Sequence, residues 1–96
     1  MKQRERLSGE AVAKFRDGHP GWDVSDGSLV KTFAFASYTA GIAFVVRLGF
    51  KAEASDHHPD LEVGYRKVRV AWVTHDVGGI TSLDTELART TDELAG

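Results

Sequence analysis

The 96-residue chain contains no cysteine, only two prolines and a single methionine. The lack of cysteine excludes a disulfide framework, a thiolate-held zinc site and a thiol nucleophile, and leaves the redox compartment open. Long hydrophobic runs are missing as well. The longest strictly apolar stretch, Ile42–Val46, falls far short of the roughly 20 residues a membrane-spanning helix needs. The opening MKQRERLSGE has no apolar segment of the kind a secretory signal carries. A soluble, cytoplasmic protein with no membrane partner is therefore expected. Nor is there an excess of one charge: 12 Lys and Arg stand against 14 Asp and Glu, a formal net charge of −2. This argues against a dedicated nucleic-acid binder, which normally carries a basic excess. The basic start (Lys2, Arg4, Arg6) and the acidic end (Asp92, Glu93) read as solvated termini.

What remains is a hydrophobic content of 42% with two Trp, two Tyr and five Phe, ordinary for a globular protein. The length fits one small domain over residues 1–96, whose modest core would gain from self-association. No linker, repeat or low-complexity segment interrupts it. Ser8 is placed to cap a helix with Ala11, Val12 and Phe15 on one face, closed by Gly18 and Pro20. GWDVS and SLVKTFAF flank Asp26-Gly27, a strong two-residue hairpin signal. Ser37 or Thr39 can cap a second helix running to about Ala54. Its apolar residues fall into two stripes, Ile42, Val45 and Phe50 on one and Phe44 and Leu48 on the other, which predicts two packing partners. Gly49 within it marks a candidate close contact. LEVGY and VRVAWVT alternate as strands. Thr81 caps a third helix with Asp84 as the acid of a capping box and a buried stripe of Ile80, Leu83, Leu87 and Leu94. Helix, hairpin, helix, hairpin, helix describes an α+β fold with helices on one face of an antiparallel sheet.

Between the second helix and the third strand stands EASDHHPD, residues 53–60. A hairpin turning at Arg66-Lys67 would pair Tyr65 with Val68, Val63 with Val70 and Leu61 with Trp72. The same register sets His58 opposite His75, while a bulge at Gly64 would shift it by one. Three of the four histidines, His57, His58 and His75, then meet at one end of the sheet beside Glu53, Asp56 and Asp76. A metal is one reading, but adjacent histidines rarely point at one ion and no His-x-x-x-His spacing is present. A structural role is another. The convergence favours acid–base chemistry, because an imidazole both gives and takes protons near neutral pH. Asp84 has two readings, helix cap or partner of the cluster, with the cap favoured. His19 stands apart in a Gly-Pro turn without an assigned role, and Gly78-Gly79 reads as a backbone hinge into the third helix.

At these residues the chain resembles the pterin-4a-carbinolamine dehydratase family. Glu53, His57-His58-Pro59, Tyr65, His75 and Asp84 fit the spacing of the family's signature, and THDVGGIT at 74–81 and the GW at 21–22 match its surroundings. The resemblance implies a four-stranded antiparallel sheet with three helices packed on one face. It also implies loss of water from 4a-hydroxytetrahydrobiopterin, or a related tetrahydropterin, to give the quinonoid dihydropterin without any cofactor. By position, His57 and His75 would transfer protons, His58 and Asp56 would bind substrate, and Glu53, Pro59 and Asp84 would support them. A homodimer or homotetramer and a functional link to an aromatic amino-acid hydroxylase are further implications. The alternative is a non-catalytic interaction or assembly role on the same fold. Leu61 stands where animal members often carry Trp, and HHPDLEV looks more like the bacterial form.

Overall fold

The computed structural model describes residues 5–96; Lys2 and Arg4 of the basic start lie outside the described residues. Ser8 caps helix α1 (Gly9–Gly18), its hydroxyl accepting the Ala11 N–H. Strands β1 (Asp23–Ser25) and β2 (Ser28–Ala34) form the first hairpin. Its turn residues Asp26 and Gly27 both take positive φ, 50° and 79°, as a two-residue turn that matches strand twist requires. Helix α2 (Tyr38–Ser55) follows, capped by Ser37. Strands β3 (Asp60–Gly64) and β4 (Lys67–Trp72) form the second hairpin. A 3₁₀ turn (His75–Val77) then leads to helix α3 (Ser82–Ala95). The sheet runs β1-β2-β4-β3, every pair antiparallel. Three helices and one antiparallel sheet make the α+β fold expected.

Alternation decides which sheet face the helices cover. Leu29 and Phe33 on β2, and Val68, Val70 and Trp72 on β4, join Phe15, Phe44, Leu48, Ala52 and Leu87 in one buried cluster. Fully burying Phe44 and Leu48 favours the docking of α2 by roughly 1.5–3 kcal/mol each. The two stripes of α2 part company. Phe44 and Leu48 are wholly buried and Ile42 and Val45 half-buried, while Val46 and Phe50 are 52% and 77% exposed. A Cβ added at Gly49 would meet nothing within 4 Å, so this glycine marks no close contact among the described residues. The stripe of α3 is buried at Ile80 and Leu87 and half-buried at Leu83 and Leu94.

The second hairpin differs from expectation. Its turn is Tyr65-Arg66, and Val63 faces Val68, Leu61 faces Val70 and Asp60 faces Ala71. Arg66 takes φ 62°, a left-handed conformation that an arginine does not advertise. Because the shift is two residues, each side chain keeps its face, and the core is unchanged.

On the acidic end of the chain, Asp92 is not merely solvated. It accepts from the indole of the buried Trp22 at 3.0 Å and from Lys31 Nζ at 2.7 Å. Lys31 rises from the helix-facing side of β2 with its ammonium 4.8 Å from the centre of the Phe33 ring. The pair with Asp92 lets this cation lie along the apolar layer with its head partly wet.

Candidate active site

The site is made where α2 stops. Asp56 adopts the left-handed conformation, φ 52° and ψ 40°, which Asp tolerates better than most residues. Its N–H bonds to Glu53 O, and the next N–H, of His57, bonds to Ala52 O. These two bonds close the helix as a Schellman motif, with the buried Ala52 beneath. The chain turns sharply, and neighbouring histidines leave in different directions. Pro59 holds the residue before it in extended backbone, which keeps His58 outside while His57 goes in.

His57 is buried to 9% exposure, and its ring lies parallel to the Trp72 indole at 5.6 Å between centres. Its Nε2 stands 2.7 Å from Oδ1 of Asp84, a carboxylate without any exposed surface. The other oxygen of Asp84 accepts the Thr81 N–H and the Thr74 hydroxyl, each at 2.8 Å. The capping box on α3 is therefore present, and the same carboxylate holds His57. The two readings of Asp84 are both correct, one for each oxygen. An ionised carboxylate only accepts, so Nε2 carries the hydrogen and Nδ1 is left for other partners.

His58 makes a parallel arrangement at the surface. Its Nε2 lies 2.8 Å from Oε1 of Glu53, with the two side chains 57% and 80% exposed. A pair this wet contributes little to stability, so its effect falls on the orientation of the His58 ring. His75 opens the 3₁₀ turn and is exposed. Thr74 clamps the base of that turn, exchanging N–H···O bonds with Gly79 at 3.0 and 3.3 Å. Gly78 takes φ 64° inside the loop, where a side chain would be strained.

Asp56, His57, His58, Val73, Thr74, His75 and Asp76 line one open cleft of about 230 Å³. The three histidines thus come together as expected, although β3 ends short of them and no ladder pairs His58 with His75. Asp56 faces the cleft, Glu53 and Pro59 flank it, and Asp84 supports it from below through His57. Tyr65 does not take part: it is 75% exposed in the hairpin turn, at the far end of β3. Trp72, Thr74 and Thr81 were not singled out from the sequence for the site. Only the THDVGGIT stretch pointed to the two threonines, and no spacing rule marks the ring beneath His57. Among the described residues, no group of three or more His, Asp or Glu side chains is arranged to hold a metal ion. No helix among them is long and apolar enough to cross a membrane.

Comparison with known proteins accords with this geometry. The family model for pterin 4 alpha carbinolamine dehydratase matches residues 5–94. A protein of Chloroflexus aurantiacus, provisionally named a pterin-4-alpha-carbinolamine dehydratase, is 43% identical over 91 residues, covering 95% of this chain and 98% of its own. One of Bradyrhizobium sp., provisionally named likewise, is 43% identical over 93 residues, covering 95% of this chain and 93% of its own. Among solved structures, a transcriptional coactivator/pterin dehydratase from Brucella melitensis superposes with a TM-score of 0.91 at 29% identity, over 96% of this chain and 100% of that one. A pterin dehydratase-like protein identified as a RuBisCO assembly factor in the alpha-carboxysome gives a TM-score of 0.68 at 27% identity, over 81% and 93%. The chain belongs to the pterin-4-alpha-carbinolamine dehydratase family.

Proposed function

We propose that the protein is a hydro-lyase that removes water from a 4a-hydroxytetrahydropterin, 4a-hydroxytetrahydrobiopterin or a close relative, to give the quinonoid dihydropterin. The observation that carries this reading is the buried His57–Asp84 pair opening onto a cleft shared with His58 and His75. The reaction breaks the C4a–O bond and removes the proton on N5. The electron pair of the N–H bond becomes the N5=C4a bond, and the hydroxyl leaves as water with a proton from an acid. No electrons enter or leave, so an acid and a base suffice.

His57 suits the base. The Asp84 carboxylate stabilises the imidazolium formed when the ring takes a proton, and it fixes the tautomer that offers Nδ1. His75, exposed on its turn, is the proton donor to the departing hydroxyl. His58, oriented by Glu53, binds the pterin together with Asp56, and Pro59 supports the bend that separates the two histidines. The physiological role is recycling of the pterin cofactor of an aromatic amino-acid hydroxylase in the cytoplasm. The exposed stripe of α2, with Val46 and Phe50, is the surface for a homodimer or homotetramer.

A second reading, an interaction or assembly role without catalysis, draws on that same apolar stripe and on the assembly-factor relative. Ultraviolet absorbance of chemically generated 4a-hydroxytetrahydropterin separates the two. Acceleration over the spontaneous reaction that survives chelator and collapses in His57→Ala and His75→Ala supports the enzyme. Absence of acceleration in the wild type rejects it.

A further inference from the structure

We propose that Thr74 is a positioning residue that ties the two proton-transfer histidines together, acting on His57 through Asp84 and on His75 through the backbone. The inference rests on the dehydratase reading for its kinetic consequence, though not for its structural one. Thr74 is 1% exposed, and its side chain and main chain are engaged in different tasks. Its Oγ1 lies 2.8 Å from Asp84 Oδ2 and 2.8 Å from Thr81 Oγ1. A hydroxyl has one hydrogen, and a carboxylate has none to give. Thr74 therefore donates to Asp84, and the Thr81 hydroxyl, which also stands 3.5 Å from the same Oδ2, gives its hydrogen to the nearer Thr74 Oγ1. Thr81 Oγ1 accepts in turn from the Leu83 N–H at 3.2 Å. The donors run in one direction, from the first turn of α3 through two hydroxyls to the carboxylate, and such chains reinforce themselves. The main chain of the same residue meanwhile pins Gly79 and closes the loop that begins with His75.

This wiring has a consequence for His57. The donors on Oδ2 share the negative charge of Asp84 and limit how strongly Oδ1 holds a proton on His57. Removing the Thr74 hydroxyl concentrates that charge on His57, so the ring keeps its added proton to higher pH. The base form then appears later on the pH scale, and the acidic limb of kcat/KM moves upward. The groups facing the His57 ring are Asp84 from α3, Asp56, His58, His75 and Asp76 around the cleft, and Glu53 at the end of α2 through His58. Of these, a change at the Thr74 side chain touches Asp84 alone.

The test compares Thr74→Val, which keeps the shape, with Thr74→Ser, which keeps the hydroxyl. Imidazole nitrogen and carbon resonances of His57 and His75 are followed against pH in the free protein, alongside the pH profile of kcat/KM. Thr74→Val is expected to move the His57 titration midpoint and the acidic limb to higher pH and lower kcat roughly tenfold, while the His75 signals, whose loop is held by the Thr74 main chain, stay in place. That loss is part of the ~10²–10⁴ a positioned acid or base supplies. Thr74→Ser is expected to restore the wild-type limb. A Thr74→Val protein that melts earlier, yet leaves the His57 titration and the limb in place, overturns the proposal and leaves Thr74 as packing. If Thr74→Val does not fold, Thr74→Ala beside Thr74→Ser makes the same comparison. The resonances answer even where no pterin is turned over, so failure of the proposal and failure of the dehydratase reading are told apart.

Discussion

Nε2 of His57 and Oδ1 of Asp84 meet at 2.7 Å in the interior, while the other oxygen of the same carboxylate caps helix α3. On the dehydratase reading, stability and chemistry thus share one side chain. Asp84→Ala leaves the Thr74 hydroxyl, the Thr81 N–H and His57 Nε2 without their acceptor. An unsatisfied buried donor costs about 1–3 kcal/mol. The expected outcome is a clear drop in thermal midpoint together with loss of dehydration, read by calorimetry and ultraviolet absorbance. A variant that keeps the wild-type midpoint contradicts the buried network.

The second carboxylate–histidine pair should behave oppositely. Glu53 and His58 are both exposed, and surface substitutions usually change stability by no more than about 0.5 kcal/mol. Glu53→Gln is expected to leave the melt alone and raise KM more than it lowers kcat, since a neutral amide holds the His58 ring less firmly than a carboxylate. Equal falls in kcat and kcat/KM would instead place His58 among the groups that act only in the transition state.

Trp72 underlies His57 and donates its indole N–H to Thr91 at 3.0 Å. Trp72→Phe removes that donor and part of a fully buried ring. A loss of about 2–4 kcal/mol is expected, chiefly from the vacated volume, since the Thr91 hydroxyl keeps its bond to the Leu87 carbonyl; urea denaturation checks it. Activity at temperatures well below the melt should fall as well, because the floor under His57 becomes uneven.

Phe50 is 77% exposed beside Val46 on the outer side of α2. Phe50→Glu places a charge in the middle of this stripe and is expected to convert an oligomer into the 10.5 kDa monomer in sedimentation velocity. A wild-type protein that already sediments only as the monomer at micromolar concentration would falsify self-association through α2.

Much of this architecture was legible because its signals are local. Ser8, Ser37 and Thr81 announce their helices through side-chain oxygens, and Asp26-Gly27 announces its hairpin through permitted backbone angles. The Tyr65-Arg66 turn gave no such sign. Its position is set by how β4 pairs with β2 as well as β3, and Arg66 accepts a left-handed conformation for the sake of those pairings. The meeting of three histidines survived a misplaced register because it depends on where α2 and the sheet end, not on a ladder. The link from Thr74 to Asp84 was hidden for another reason: it exists only once α3 lies against the end of β4. Tyr65 shows the converse, since a residue at the expected spacing can stand far from the cleft.

The double duty of Asp84 bears on how such a chain can drift. If the dehydratase reading holds, a lineage that ceased to need the reaction could shed the side chains of His58, Glu53 and His75 freely, because each is exposed. It could not shed Asp84 without also loosening the start of its last helix. On that reading the buried acid should outlive the chemistry, remaining as a relic in descendants that have turned to other work, while the surface histidines would be the first to go.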